Sequence, residues 1–482
     1  MLVVDVGITQ SKITGVIDQK VYSLIYHELS FKNENYIHQK KYSQFAQERH
    51  YLITPSTKVF QTGLLPRVCQ LLEKHGLEYS INDHREESPP EFFMPMNGEK
   101  PLRPYQIEAV RSAVENKCGI LRMATGAGKT RVASEIVSQL ERRTVILVHR
   151  IDLLKQFAEV LKSLLHFPDI VGIIGGGIFE PNIITICTMQ TVTYALDIQN
   201  EENKDEKYED IFKYKKQQII ELLESANVVI VDEVHHIVAE TFAQVMKRCK
   251  NATYRLGFSA TDWRDDGADL LIEAAVGPRI YDISISSLVD MDYLVPAYVT
   301  VYPQAEPKEK CSSKESWQTL NSTYYTRNNN FHQQVLDINR VWFDEGRTIL
   351  TLITQIKHGV ALEKLHNSSG IKTIFLSGSD SSDYREKIFN EVRSGKLRHL
   401  IGTSIADEGL DLPQVDALNM AGGGKSSVKV YQRIGRTLRP SEGKTHALVA
   451  DYKPAVDLLA YHCKKRISIY KFEKEFHLKE IK

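Results

Sequence analysis

Met123-Ala124-Thr125-Gly126-Ala127-Gly128-Lys129-Thr130 lies between an apolar run, Gly119-Ile120-Leu121, and the helical pattern Arg131-Val132-Ala133-Ser134-Glu135-Ile136-Val137. The order is strand, glycine loop, helix. Backbone N–H groups at a helix start point at an anion, and glycines let the main chain approach it, so this order predicts a phosphate cradle. Lys129 is placed to reach the outer phosphates, and the Thr130 hydroxyl to hold Mg²⁺. Thr125, Gly126, Ala127 and Gly128 form the wall of the cradle. Met123 stands where the common pattern has its first glycine.

Outward from the loop, apolar runs alternate with helical patterns from Leu102 to about Tyr281, which predicts βαβ units around a parallel sheet. Val228-Val229-Ile230-Val231 runs directly into Asp232-Glu233-Val234-His235. Two carboxylates at the end of a buried parallel strand fall where open α/β sheets bind ligands. Asp232 is expected to hold Mg²⁺ through water, and Glu233 to orient or deprotonate the attacking water. Ser259-Ala260-Thr261 ends a further strand. Residues 198 to 219 form a charged insertion, expected as a solvated loop leading into a helix.

A second set of runs, from Thr348-Ile349-Leu350 through Ala447-Leu448-Val449-Ala450, predicts another open α/β sheet. A linker is expected near Pro296, followed by a polar segment over residues 304 to 330. Arg433, Arg436 and Arg439 recur at i, i+3 and i+6, broadly one helical face. Such clustered cations call for anions, which makes Arg436 and Arg439 candidate arginine fingers for a transferring phosphoryl group.

Ahead of these sheets, residues 1–95 mix short alternating runs with a helix near Pro66 to His75 and a strand near Glu78 to Ile81, ending in the linker-like Glu86-Glu87-Ser88-Pro89-Pro90. The fold class is therefore α/β, two tandem parallel-sheet domains over 96–290 and 291–482 behind a small α+β accessory domain over 1–95. Lys plus Arg and Asp plus Glu each number 61 in the 482 residues, so any nucleic-acid surface must be a local patch made by folding. The six cysteines form no Cys-x-x-Cys pair, which argues against zinc and disulfides and for a reducing cytoplasm. Neither an apolar signal core nor an 18-residue apolar run is present, so no membrane association is expected. No Asp with Glu-x-Lys cluster of the nuclease type stands near either terminus.

The order Leu102-Arg103-Pro104-Tyr105-Gln106, MATGAGKT, Asp-Glu-Val-His, Ser-Ala-Thr, TSIADEGLDLP and QRIGRTLR resembles the superfamily 2 helicases over residues 100 to 455. The resemblance implies two RecA-like lobes, ATP and Mg²⁺ as cofactors, Arg103 and Gln106 at the adenine side, and Gly409 and Asp411 near ribose and metal. It places Gln432 near the γ-phosphate. It also assigns nucleic-acid contacts to His149, Arg150, Thr188, Gln190, Thr191 and Thr403. Asp-Glu-Val-His with Arg-Pro-Tyr-Gln looks more like the DNA-directed repair and recombination group than the RNA-directed one. Residues 59–68 and 71–76 are similar to the accessory domain of tailed-phage branch-migration helicases of the UvsW kind. The expectation is a motor on forked or branched DNA, working beside other replication or recombination proteins, in a host bacterial cytoplasm if phage-encoded. A restriction-type motor, a duplex translocase, an ATP-gated clamp and an RNA helicase are the alternatives.

Overall fold

The computed structural model describes residues 2–32, 40, 48–98, 101–198, 215–234, 239–260, 269–312, 314–403, 412–424 and 427–481. The chain divides into two compact units, residues 1–123 with 128–282, and residues 283–482 with 124–127.

The first unit carries an eight-stranded sheet in the order Ile178–Glu180, Val171–Gly175, Ile184–Thr188, Thr144–Val148, Val228–Val231, Tyr254–Ser259, Cys118–Met123 and Arg279–Ile283. Thr144–Val148, Ile184–Thr188, Val228–Val231 and Tyr254–Ser259 are buried along their whole length, as expected for strands covered by helices on both faces. Val231 lies opposite Gly257, and Phe258 opposite Leu121, so three parallel strands end level with one another.

In front of this sheet, Leu2–Val6 pairs antiparallel with Gln10–Thr14 and parallel with Tyr79–Asp83, and Val59–Gln61 completes four strands. Ser30–Lys32 and Arg49–Tyr51 form a separate pair. The expected helix runs over Leu65–Lys74, and Gly76 follows at φ +66 as its turn residue. The accessory domain shares a core with the larger sheet's helices, because Ala274 belongs to the apolar cluster built on Val4, Ile25, Phe60 and Leu72. Gly63 sits so close to the Asp269–Val276 helix that a Cβ there would meet the Glu273 carbonyl oxygen at 2.2 Å and that of Ala274 at 2.5 Å. Arg67 adds a two-pronged ion pair to Glu273 at 2.9 and 2.7 Å. The stretch expected as a linker is tethered: Glu87 accepts from Lys117 at 2.8 Å and pairs with Arg142 at 3.1 Å, and Ser88 accepts from Asn227 at 2.7 Å.

The second unit carries seven strands, ordered Ile374–Leu376, His399–Gly402, Ile349–Leu352, Ala417–Asn419, Ala447–Lys453, Ala297–Pro303 and Phe476–Glu480. All six neighbouring pairs are parallel. The linker expected near Pro296 is corrected here. Pro296 opens directly onto a strand seated between Ala447–Lys453 and Phe476–Glu480, since Ala297, Val299 and Val301 supply an alternating buried face. The polar segment holds a helix at Trp317–Asn321 continued by a π turn at Ser322–Thr326. Beneath this sheet lies a polar knot. Asn339 donates to Thr351 at 3.0 Å and to His366 at 3.1 Å, Thr373 meets His399 at 2.8 Å, and Asn419 links Asn339 to Tyr452 at 2.8 and 2.9 Å. Burial pushes His366 down to about 4 and the neighbouring His358 to about 3, and His399 lies well below the usual imidazole range. The histidines are therefore neutral in the folded unit.

Candidate functional site

The Cys118–Met123 strand delivers the chain into the glycine loop, where Gly126 at φ +92 and Gly128 at φ +80 take backbone conformations that side chains disfavour. The Lys129–Leu140 helix starts immediately after Gly128, and no side chain caps its first N–H groups. An uncapped helix start behind two left-handed glycines is an anion site. Gln106 closes one side of it: its Oε1 accepts the Arg103 N–H at 3.1 Å, and a Cβ at Gly128 would lie 2.6 Å from its Nε2. A side chain at position 128 would displace that amide and also meet the backbone strain of φ +80.

Across the strand ends, the Asp232 N–H donates to the Leu147 carbonyl at 2.9 Å, which fixes the acid pair at the end of the Val228–Val231 strand. Lys129 forms an ion pair with Glu233, both side chains about 85% removed from solvent at 15% and 13% exposure. Glu233 itself holds φ +47, a left-handed conformation rare for a residue with a side chain. The Asp232 carboxyl is raised above the ordinary carboxylate range, first by burial and then by the Glu233 charge, with Lys129 and His149 pulling the other way. The donor set of Thr130 hydroxyl and Asp232 carboxylate suits Mg²⁺, which takes few protein oxygens and completes its shell with phosphates and water. Among the described residues no group of three His, Cys, Asp or Glu side chains forms a metal cluster.

The structure therefore brings Gln106, Gly128, Lys129, Thr130, Asp232 and Glu233 together in the first unit. Arg103 donates to the Tyr105 hydroxyl at 3.0 Å. His149 and Arg150 follow the Thr144–Val148 strand and are half-buried. Thr188 and Thr191 are buried and bonded to each other at 2.8 Å, with Thr188 capping the Met189–Ala195 helix. Their hydroxyls are thus committed to the fold, and of that group only Gln190 keeps a partly exposed side chain.

In the second unit, Thr403 is half-buried at the end of His399–Gly402. The Ser427–Thr437 helix carries Arg433, which is 7% exposed, and Arg436, which is half-buried. The single-face expectation is corrected for Arg439, which stands beyond the helix end. Pro440 disfavours helical geometry in the residue before it. Gln432 lies on that helix with its side chain outside the described residues, where Thr261, Gly409 and Asp411 also fall. Sequence spacing missed the Lys129–Glu233 pairing and the strained Glu233 backbone, since both arise only when strands far apart in the chain align.

Residues 99–263 match the family model of the type III restriction enzyme res subunit, and residues 333–441 that of the helicase conserved C-terminal domain. The DNA 3'-5' translocase XPB2 of Sulfurisphaera tokodaii is 28% identical over 381 residues, 71% of this chain and 79% of its own length. A putative HsdR subunit of a type I restriction enzyme from Vibrio vulnificus shares the fold at TM-score 0.56 and 17% identity, over 90% of this chain and 76% of that one. UvsW of phage T4 aligns over 99% of this chain and 98% of its own at 18% identity and TM-score 0.47. No helix among the described residues is long and apolar enough to cross a membrane. Modules of this kind use ATP with Mg²⁺, and by them the chain belongs to the superfamily 2 helicases.

Proposed function

We propose that the chain is an ATP-dependent DNA translocase that remodels forks and four-way junctions in phage replication, recombination or repair. The observation that carries the motor is the meeting of Lys129, Asp232 and Glu233 at level strand ends beside an uncapped helix start. Lys129 and the first-turn N–H groups bind the outer phosphates, Thr130 and Asp232 hold Mg²⁺, and Glu233 orients and deprotonates water once Lys129 has exchanged it for phosphate. Arg436, Arg439 and Gln432 serve the same phosphoryl group, with Arg103 and Gln106 on the base and Gly409 and Asp411 toward ribose and metal. His149, Arg150, Gln190 and Thr403, with the main chain at Thr188 and Thr191, follow the phosphates of the nucleic acid. The 28% identity to a protein named as a DNA translocase supports DNA as the track.

Phosphate contacts carry no sequence information and weaken with salt, so affinity should fall steeply as ionic strength rises. The test is ATP hydrolysis at fixed salt with no nucleic acid, single-stranded DNA, duplex, four-way junction and RNA. Greatest stimulation by the junction supports the proposal. Indifference to every nucleic acid, or a stronger response to RNA, overturns it. Lys129→Ala should lower turnover at least about 100-fold with the melting profile preserved. The restriction-subunit match over residues 99–263 favours a second reading, a duplex translocase that moves without separating strands, which a strand-displacement assay on forked DNA distinguishes.

A further inference from the structure

The accessory domain and the motor lobe line an open, solvent-facing cavity of about 530 Å³ within the first unit, away from the ATP-site residues. That volume lies in the range of about 300–1,000 Å³ typical of small-molecule sites. One wall is aromatic. Tyr26 and Tyr51 stack with centroids 4.2 Å apart and planes within 8°, and Tyr22 extends the series at 6.4 Å. Tyr51 closes the series and remains 37% exposed, so its outer face is available. The Tyr22 hydroxyl donates to the Thr54 carbonyl at 3.0 Å, which fastens the aromatic wall to the neighbouring turn.

The opposite wall comes from the Ala239–Arg248 helix of the motor lobe, which presents Gln244 and Lys247 as exposed side chains into the cavity. Gln10 and Gln61 line the side between them. The described lining thus combines flat aromatic faces, three amides that donate and accept, and one ammonium, with no carboxylate. Amides match the edge of a base, an aromatic face matches its plane, and an ammonium matches the phosphate that follows it.

We propose that this cavity captures one unpaired nucleotide of DNA at a branch point, its base stacked on Tyr51 and its phosphate held by Lys247. This rests on the DNA-remodelling function above and names the feature of the branch that the accessory domain recognises. Because the domain and the lobe share a buried core, a base held here is carried with the first lobe.

The experiment measures binding of the full chain, at fixed salt, to a forked duplex with a single unpaired position at the junction, carrying either a normal base or an abasic sugar. The unmodified protein should prefer the base by about tenfold. Tyr51→Ala should abolish that preference and Tyr51→Phe keep it, while Lys247→Gln weakens both ligands alike; hydrolysis without nucleic acid should stay unchanged in all three. Equal affinity of the unmodified protein for the two ligands overturns the proposal without any variant, and so does a preference that survives in a folded Tyr51→Ala. ATP hydrolysis that responds to DNA while no base preference exists sinks the cavity alone. Hydrolysis indifferent to every DNA sinks the translocase function itself.

Discussion

At Glu233, a backbone at φ +47 and a side chain held by Lys129 meet in one residue. Left-handed backbone costs a side-chain-bearing residue about 1–2 kcal/mol, and such strain survives where surrounding structure imposes it. Glu233→Gly should therefore unfold later than Glu233→Ala, by about 1 kcal/mol in chemical denaturation, with both variants inactive; equal stabilities would show that no strain is stored there. Glu233→Gln should bind ATP normally and turn over about 100-fold or more slowly, as read by nucleotide binding beside steady-state hydrolysis. The placement of Lys129, Thr130 and Asp232 was legible in the sequence because each follows from a few adjacent residues, a loop before a helix and acids after a strand. The ion pair was not, because Lys129 and Glu233 are joined only by the register of strands whose order a linear pattern does not contain. The bond between the Thr188 and Thr191 hydroxyls was illegible for a related reason: a hydroxyl that caps a helix looks the same in sequence as one that faces a ligand.

Among the elements, the seam between the accessory domain and the Asp269–Val276 helix has its tightest point at Gly63. Both atoms that an added methyl would strike are backbone carbonyl oxygens, which cannot move like the end of a side chain. Gly63→Ala should cost about 1–3 kcal/mol and open the seam to limited proteolysis, whereas Arg67→Ala, whose partly exposed ion pair is solvent-screened, should cost no more than about 1 kcal/mol. The sheets themselves were readable, since continuous apolar runs such as Thr144–Val148 admit few other fates. Ala297–Pro303 was not read as a strand, because Pro296 and the polar residues after it suggest a break, and its partners come from the far end of the chain.

For the molecule as a whole, acid should unfold the second unit through its histidines. His358 at about 3 and His366 at about 4, both lowered by burial, sit below the ordinary value near 6.5, so the unfolded chain binds more protons between those limits. Their neutral burial therefore contributes stability fully present above about pH 6.5 and progressively lost as pH falls toward 4. Urea midpoints measured across that interval should decline, and His358→Phe should flatten the decline; a flat profile in the unmodified protein would place the histidines in contact with water. The placement of Ala297–Pro303 also has a consequence for how the protein is made. Its two neighbours, Ala447–Lys453 and Phe476–Glu480, are synthesised long after it, so the motor's first lobe can close during synthesis while the second holds an open strand until both have emerged from the ribosome. A ribosome stalled before residue 447 would expose that unpaired edge, which makes this span of the nascent chain the one most in need of a chaperone.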